Sequence, residues 1–205
     1  MGRPSKASTP TWASRARFLR EFIARPTMIG AISPSSRRLA EEMLRTVPLD
    51  GPVAIAEYGP GTGVFTSLVL ERLGGGAKFF AIERNEVLVE ELRRRFPGLG
   101  LHAGSAADIE RFCAIEGVSK LDAVISGLPW ASFPESLQTS ILEPTVRALK
   151  PGGQFVTFAY QVGRYMPAGR RFAKLLPRYF ATTTLSRIVW RNMPPAYVIR
   201  CTTPG

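Results

Sequence analysis

Histidine, cysteine, acidic residues and long apolar runs are what this chain has least of. His102 is its one histidine, which argues against a zinc site or a Ser-His-Asp triad, since both usually need imidazole. Its two cysteines, Cys113 and Cys201, have neither metal-ligand spacing nor the pattern of a disulfide framework. No metal is expected. No apolar run approaches the roughly 18–20 residues of a spanning helix. The N-terminus lacks the charged-then-apolar layout of a secretory signal. A cytosolic chain is expected. Sixteen acidic residues face 27 basic ones, a net charge of +11 and a pI near 10.5. Such an excess suggests an anionic partner, either nucleic acid or an anionic membrane surface. Arginine far outnumbers lysine, which a GC-rich genome would also produce with no partner involved.

What is present suits one folded domain: 205 residues, 45% hydrophobic, enough to bury a full core. Residues Met1–Thr9 read as a loose basic tail. Thr11–Arg25 reads as an amphipathic helix. Trp12, Ala16, Leu19 and Ile23 line up at 100° per residue, Phe18 and Phe22 widen that face, and Arg17 and Arg20 lie opposite, with Arg15 at the edge. Pro26 ends it. A second helix is expected from Ser33–Ser36 to about Thr46.

Strands and helices then alternate. Strands are expected at Val53–Tyr58, Lys78–Ile82, Gly100–Ala103, Leu121–Ile125 and Gln154–Ala159. Helices are expected at Val64–Leu73, Asn85–Phe96, Ala107–Ile115 and Leu137–Leu149, with Pro151-Gly152-Gly153 as a turn. Arg170–Leu176 has helical character. Thr182–Arg191 and Ala196–Thr202 read as a terminal hairpin turning at Asn192–Pro195. This order predicts a parallel, doubly wound sheet.

Glu57-Tyr58-Gly59-Pro60-Gly61-Thr62-Gly63 joins a predicted strand to a predicted helix. Glycines there permit a tight turn and close approach of a ligand to the main chain. About twenty residues on, Glu83 ends the second strand, where a carboxylate grips ribose hydroxyls. A dinucleotide fold normally uses G-x-G-x-x-G. Here glycine stands at every second position, with Glu57 two residues before the first, and no diphosphate is needed if the ligand is a nucleoside bearing a sulfonium.

The loop resembles motif I of class I S-adenosylmethionine-dependent methyltransferases, and the resemblance covers about Ile32 to Thr202. It implies a Rossmann-like α/β fold with a mostly parallel seven-stranded sheet and a C-terminal antiparallel hairpin. It implies S-adenosylmethionine as methyl donor and S-adenosylhomocysteine as product. Glu57 and the backbone of Gly59, Gly61 and Gly63 would hold the methionine end. Glu83 would hold the ribose, and Arg84 would flank the adenine. Ile32, Ser33, Tyr58, Ser126, Gly127 and Leu128 complete the expected cofactor set. Relatives often carry Asp where this chain has Ser105, so the adenine contact is expected to be weaker or to move to the Ala106 backbone.

Ser126-Gly127-Leu128-Pro129-Trp130 resembles the Asn/Asp-x-Pro-aromatic motif of amino-directed methyltransferases, with Gly127 in place of the amide or acid. A planar exocyclic amine needs that acceptor, whereas an sp³ amine needs only to lose its proton. Together with the Trp12–Arg25 segment, the Gly30–Ser36 linker and the glycine loop, these residues are most similar to bacterial phospholipid N-methyltransferases. The resemblance implies methylation of phosphatidylethanolamine, and of its mono- and dimethyl forms, towards phosphatidylcholine. The enzyme would sit peripherally on the inner face of the cytoplasmic membrane.

Residues 1–31 would form the tail and the interfacial helix, and 32–205 the catalytic domain. Trp12, Arg15, Arg17, Phe18, Leu19, Arg20, Phe22 and Ile23 would touch the bilayer, although such a helix can equally pack on its own domain. Trp130 and Tyr160 are the candidate catalytic residues. Both are also candidate substrate contacts, with Phe133, Tyr165, Arg164 and Arg187, the arginines meeting a lipid phosphate. Tyr160 or Glu135 is a candidate proton acceptor. Two alternatives stay open: an rRNA adenine N6-methyltransferase, and a non-catalytic membrane- or nucleic-acid-binding module on the same fold.

Overall fold

The computed structural model describes residues 35–205. The helix expected over Thr11–Arg25 and the candidates Ile32 and Ser33 lie outside the described residues. Six α-helices and seven strands follow: α1 Arg37–Leu44, β1 Ala54–Tyr58, α2 Val64–Arg72, β2 Lys78–Glu83, α3 Glu86–Arg95, β3 Gly100–Ala103, α4 Ile109–Ile115, β4 Leu121–Ser126, α5 Glu135–Ala148, β5 Leu149–Tyr160, α6 Pro167–Tyr179, β6 Thr182–Leu185 and β7 Ala196–Thr202. Single 3₁₀ turns occupy Ala106–Asp108, Trp130–Ser132 and Gln161–Tyr165.

The sheet runs β3-β2-β1-β4-β5-β7-β6. β1 to β5 pair in parallel, and β7 runs antiparallel between β5 and β6. This is the Rossmann-like architecture expected. The central strands are near-continuous apolar runs because both their faces are covered. Side chains alternate across the sheet. Ala56, Tyr58, Val124 and Phe155 enter one core, with Ile109, Ile141 and Phe172 of α4, α5 and α6. Ile55, Ala123, Ile125 and Val156 enter the other, with Leu39 and Met43 of α1 and Phe65 and Leu68 of α2. α3 adds Val89 and Leu92 against Ala81 and Leu101.

Four expectations need correction. Pro151-Gly152-Gly153 is not a turn between elements but a bulge within β5. Leu149 pairs with Leu121, while Gln154 already pairs with Ala123. Gly152 takes φ +71° there, and the chain end pins it: Gly152 N–H donates to Pro204 O at 3.0 Å and Thr203 N–H to Gly153 O at 3.0 Å. The strand expected over Thr182–Arg191 stops at Leu185, because the Ser186 hydroxyl takes the Val198 N–H at 2.9 Å in place of the ladder. One bridge, Val189 to Ala196, survives beyond it. α6 is longer than Arg170–Leu176, starting with Pro167 at its first turn, where proline's missing N–H costs nothing. α5 begins at Glu135, two residues earlier than expected, and ends at Ala148.

Candidate active site

Strand order reverses at β1, whose neighbours are β2 on one side and β4 on the other. A crevice at the carboxyl ends of strands forms at such a switch point. Parallel register brings those ends level: Tyr58 faces Ile82 and Ser126, and Ser126 faces Thr157. Main-chain bonds then tie the following loops together. Gly59 N–H donates to Ile82 O at 2.9 Å, Gly104 N–H to Glu83 O at 2.9 Å and Gly127 N–H to Tyr58 O at 2.8 Å.

The glycine loop follows β1. Gly59, Gly61 and Gly63 all take positive φ, at 63°, 56° and 78°, where a Cβ is strained. A Cβ on Gly59 would lie 2.9 Å from Leu128 Cδ2, and one on Gly63 would lie 2.7 Å from the Phe96 ring. At Gly61 the same atom would point into open space. The loop is therefore packed on its inner side and bare on its outer one.

Two carboxylates flank it. Glu57 is fully buried. One oxygen accepts the Thr66 hydroxyl at 2.7 Å, and the other, Oε1, is buried with no partner among the described residues. Burial pushes this carboxyl up to about 8; the Thr66 hydrogen bond opposes the rise and the charge of Glu83 adds to it. Glu83 closes the loop from the other side. Its Oε1 accepts the N–H groups of Arg84 at 2.8 Å and Asn85 at 2.9 Å, and its Oε2 accepts Gly61 N–H at 3.2 Å.

These residues fit the methyl donor. An orphaned buried carboxylate oxygen suits an ammonium, and a carboxylate at the end of β2 suits hydroxyls. The Arg84 side chain is exposed beside it. Ser105 spends its hydroxyl on Ala107 N–H at 3.2 Å, capping the short turn that starts at Ala106.

Several expected residues sit differently. The Tyr58 side chain is a core group, fully buried and bonded to Thr145 Oγ1 at 3.0 Å, so only its backbone reaches the crevice. Ser126 is also buried, and its hydroxyl accepts Trp130 Nε1–H at 3.1 Å and Leu128 N–H at 3.4 Å. Trp130, expected to present an aromatic face, is 3% exposed. Phe172 stacks on it at 4.5 Å, and Phe133 and Phe155 meet it edge-on. It supports the loop from beneath.

Tyr160 is half-buried at the end of β5 and packs on Phe158. Burial raises its phenol above the ordinary value. Phe133 is half-buried, and Glu135, Arg164, Tyr165 and Arg187 are exposed. His102 is structural: its Nε2 meets Glu116 Oε1 at 2.7 Å and its ring stacks on Phe112.

Sequence reasoning missed Thr66 and Gln138. Thr66 lies on the first turn of α2, aimed back at Glu57. Gln138 is fully buried in α5, and its amide donates to Trp130 O at 2.8 Å and Ala168 O at 3.1 Å. Neither belongs to a motif, so no local signal marked them.

Sheet order, glycine loop and paired carboxylates together are those of the class I methyltransferase fold. An O-methyltransferase from Bacillus cereus, solved in complex with S-adenosylhomocysteine, superposes with a TM-score of 0.65 at 15% identity over 95% of this chain and 92% of that one. By sequence the chain is related to a lipid N-methyltransferase. It is 28% identical over 187 residues, 90% of its length, to the ornithine lipid N-methyltransferase of Singulisphaera acidiphila, of which it covers 93%. A shorter match, 34% over 103 residues, is to ribosomal RNA small subunit methyltransferase A of a Burkholderia species, covering 50% of this chain and 33% of that protein. No protein-family model matches. Among the described residues no group of three or more His, Cys, Asp or Glu side chains is placed to hold a metal ion. No described helix is long and apolar enough to cross a membrane.

Proposed function

We propose that this chain transfers methyl groups from S-adenosylmethionine to the primary amine of a membrane lipid. When bound, the donor supplies a sulfonium methyl already activated for in-line transfer. The chain's own task is mainly positioning. Ionised Glu57 receives the donor's ammonium, with Thr66 fixing its rotamer. Glu83 takes the ribose hydroxyls, the bare side of Gly61 admits the ligand to the main chain, and Arg84 flanks the adenine. Burial of the amine beside half-buried Phe133 or Tyr160 would disfavour an ammonium and so favour the neutral, nucleophilic amine. The tyrosine hydroxyl, protonated at neutral pH, orients that amine, and the amine's proton leaves to water.

Gly127 is the observation that favours a lipid amine over a nucleobase amine. Its would-be Cβ lies 2.6 Å from the Gly59 carbonyl oxygen. The site therefore has no room for the side-chain acceptor that a conjugated exocyclic amine requires, whereas an sp³ amine needs none. Phosphatidylethanolamine is the specific substrate we propose, with Arg164 and Arg187 available for its phosphate. A second reading, an ornithine headgroup, is favoured by the relative that spans nine-tenths of the chain. The N-terminal segment Thr11–Arg25 is proposed as an interfacial helix on the strength of its amphipathic pattern.

The test offers labelled methyl donor with vesicles of phosphatidylethanolamine, with vesicles of ornithine lipid and with ribosomal RNA. Label is expected in phosphatidylethanolamine. Label in ornithine lipid alone replaces the headgroup assignment. Label in RNA and in neither lipid overturns the reading.

A further inference from the structure

No acidic residue follows Glu143 in the chain. Of the basic residues beyond it, Arg147, Lys150 and Arg200 pair with Glu110, Asp122 and Glu42. Among the described residues, Arg170, Arg171, Lys174 and Arg178 of α6 make no ion pair, nor do the three arginines Arg164, Arg187 and Arg191. All three are exposed; Arg164 lies 5.6 Å from the Tyr197 ring centroid.

The same region exposes large apolar side chains. Trp190 is 68% exposed, Met193 74% and Tyr165 71%. They belong to two loops at one end of the sheet. β7 starts at Ala196 opposite Tyr160, where β5 ends, and Gln161 N–H donates to Pro195 O at 2.9 Å. Because β7 is antiparallel, the loop before it lies at the carboxyl edge, beside the crevice.

That loop is held. Asn192 is 2% exposed between its two exposed neighbours. Its Oδ1 accepts Ser36 N–H at 2.9 Å and its Nδ2 donates to Pro194 O at 2.7 Å. Val189 bridges Ala196. A clamped loop that displays a tryptophan and a methionine outward, rimmed by unpaired arginines, matches an interface with an apolar interior and anionic headgroups. Tryptophan and tyrosine favour that level of a bilayer, and arginine is drawn to its charge.

We infer that the loop over residues 186–195, with Tyr165 beside it, is a second membrane-docking surface that sets the active-site edge against an anionic bilayer. The inference rests on the lipid-amine reading for its purpose but not for its test. Trp190 and Met193 insert, Arg187 and Arg191 meet headgroup phosphates, and the lipid amine then reaches the crevice without leaving the interface. The surface is separate in sequence from the Thr11–Arg25 segment.

The experiment uses the full chain and vesicles of phosphatidylcholine with or without phosphatidylglycerol. In Trp12→Phe, the tryptophans are buried Trp130 and exposed Trp190, so quenching by acrylamide reports Trp190. Anionic vesicles are expected to protect it and shift its emission to the blue. W190S/M193S is expected to weaken sedimentation with anionic vesicles by roughly tenfold or more, and Arg191→Ala by about fivefold. A Phe18/Leu19/Phe22→Ser variant should bind weakly while Trp190 is still protected in the bound fraction. Unchanged quenching of Trp190 in vesicle-bound protein overturns the proposal, as does protection by RNA with no vesicle binding. Methylation of a short-chain phosphatidylethanolamine below its micelle concentration should be unaffected by W190S/M193S. Its absence in the parent protein would instead count against the lipid-amine reading, and the quenching result would stand apart.

Discussion

Glu57 carries the most consequential titration in the site. Its carboxyl is raised from 4.5 to about 8, mainly by burial. In the unfolded chain it ionises near its ordinary value, so the fold loses stability as pH climbs from about 4.5 through 8. A bound ammonium reverses that preference by pairing with the ionised form. Donor binding below pH 8 should therefore release a proton from Glu57, and affinity should rise with pH. The ligand's ammonium sits beside its own carboxylate and keeps its proton above pH 8, so affinity should rise up to about pH 8 and level off as Glu57 becomes ionised. Calorimetry of S-adenosylhomocysteine binding across pH 5–9 checks this. Glu57→Gln should lose the rising limb and, at pH 8, bind roughly tenfold to a hundredfold more weakly. A flat wild-type profile would contradict the assigned role. Glu57 and Glu83 were legible from their spacing around the glycines. Trp130 was not, because a motif position does not say whether a ring faces the crevice or the core, and here Phe172 and Phe155 cover it.

At the scale of elements, the proposed substrate side rests on how α5 holds two turns. Gln138 of α5 ties the Trp130–Ser132 turn to the start of α6 through the carbonyls of Trp130 and Ala168. Close packing supports the joint: a Cβ on Gly169 would collide with Gly163 O, and one on either glycine would lie 3.4 Å from Ala131 Cβ. Gln138→Leu keeps the volume but removes both amide hydrogen bonds, at about 0.5–1.5 kcal/mol each, while Trp130 O keeps the Phe133 N–H at 3.3 Å. We expect denaturant unfolding to show a loss of about 1–3 kcal/mol. We also expect the KM for lipid to rise more than the KM for the methyl donor. Equal changes in both would mean that the joint is only a stability element. The helices and central strands were legible because their apolar period is strong. The β5 bulge and the early end of β6 were not, since each depends on a partner distant in sequence: Thr203 and Pro204 for the bulge, Val198 for Ser186.

At the scale of the whole molecule, the cofactor side draws on the ends of β1, β2, β3 and β4, so a ligand there binds the assembled sheet and nothing in the unfolded chain. S-adenosylhomocysteine at about 100 times its Kd should add about 2.7 kcal/mol. For a chain of this size that is roughly 5–11 °C in Tm, and thermal unfolding with and without the product measures it. No shift at saturating product would remove the methyl-donor assignment. The sequence by itself determined the order of elements, the glycine loop and its carboxylates, because strand and helix periods and positive-φ glycines are local properties. It also determined the basic excess. Only the tertiary structure decided which side chains face the crevice, why Gly127 is bare, and that Trp190 and Met193 stand exposed on the loop that carries Arg187 and Arg191. Those outcomes depend on register between strands and on contacts such as Asn192 with Ser36, which join residues far apart in the chain.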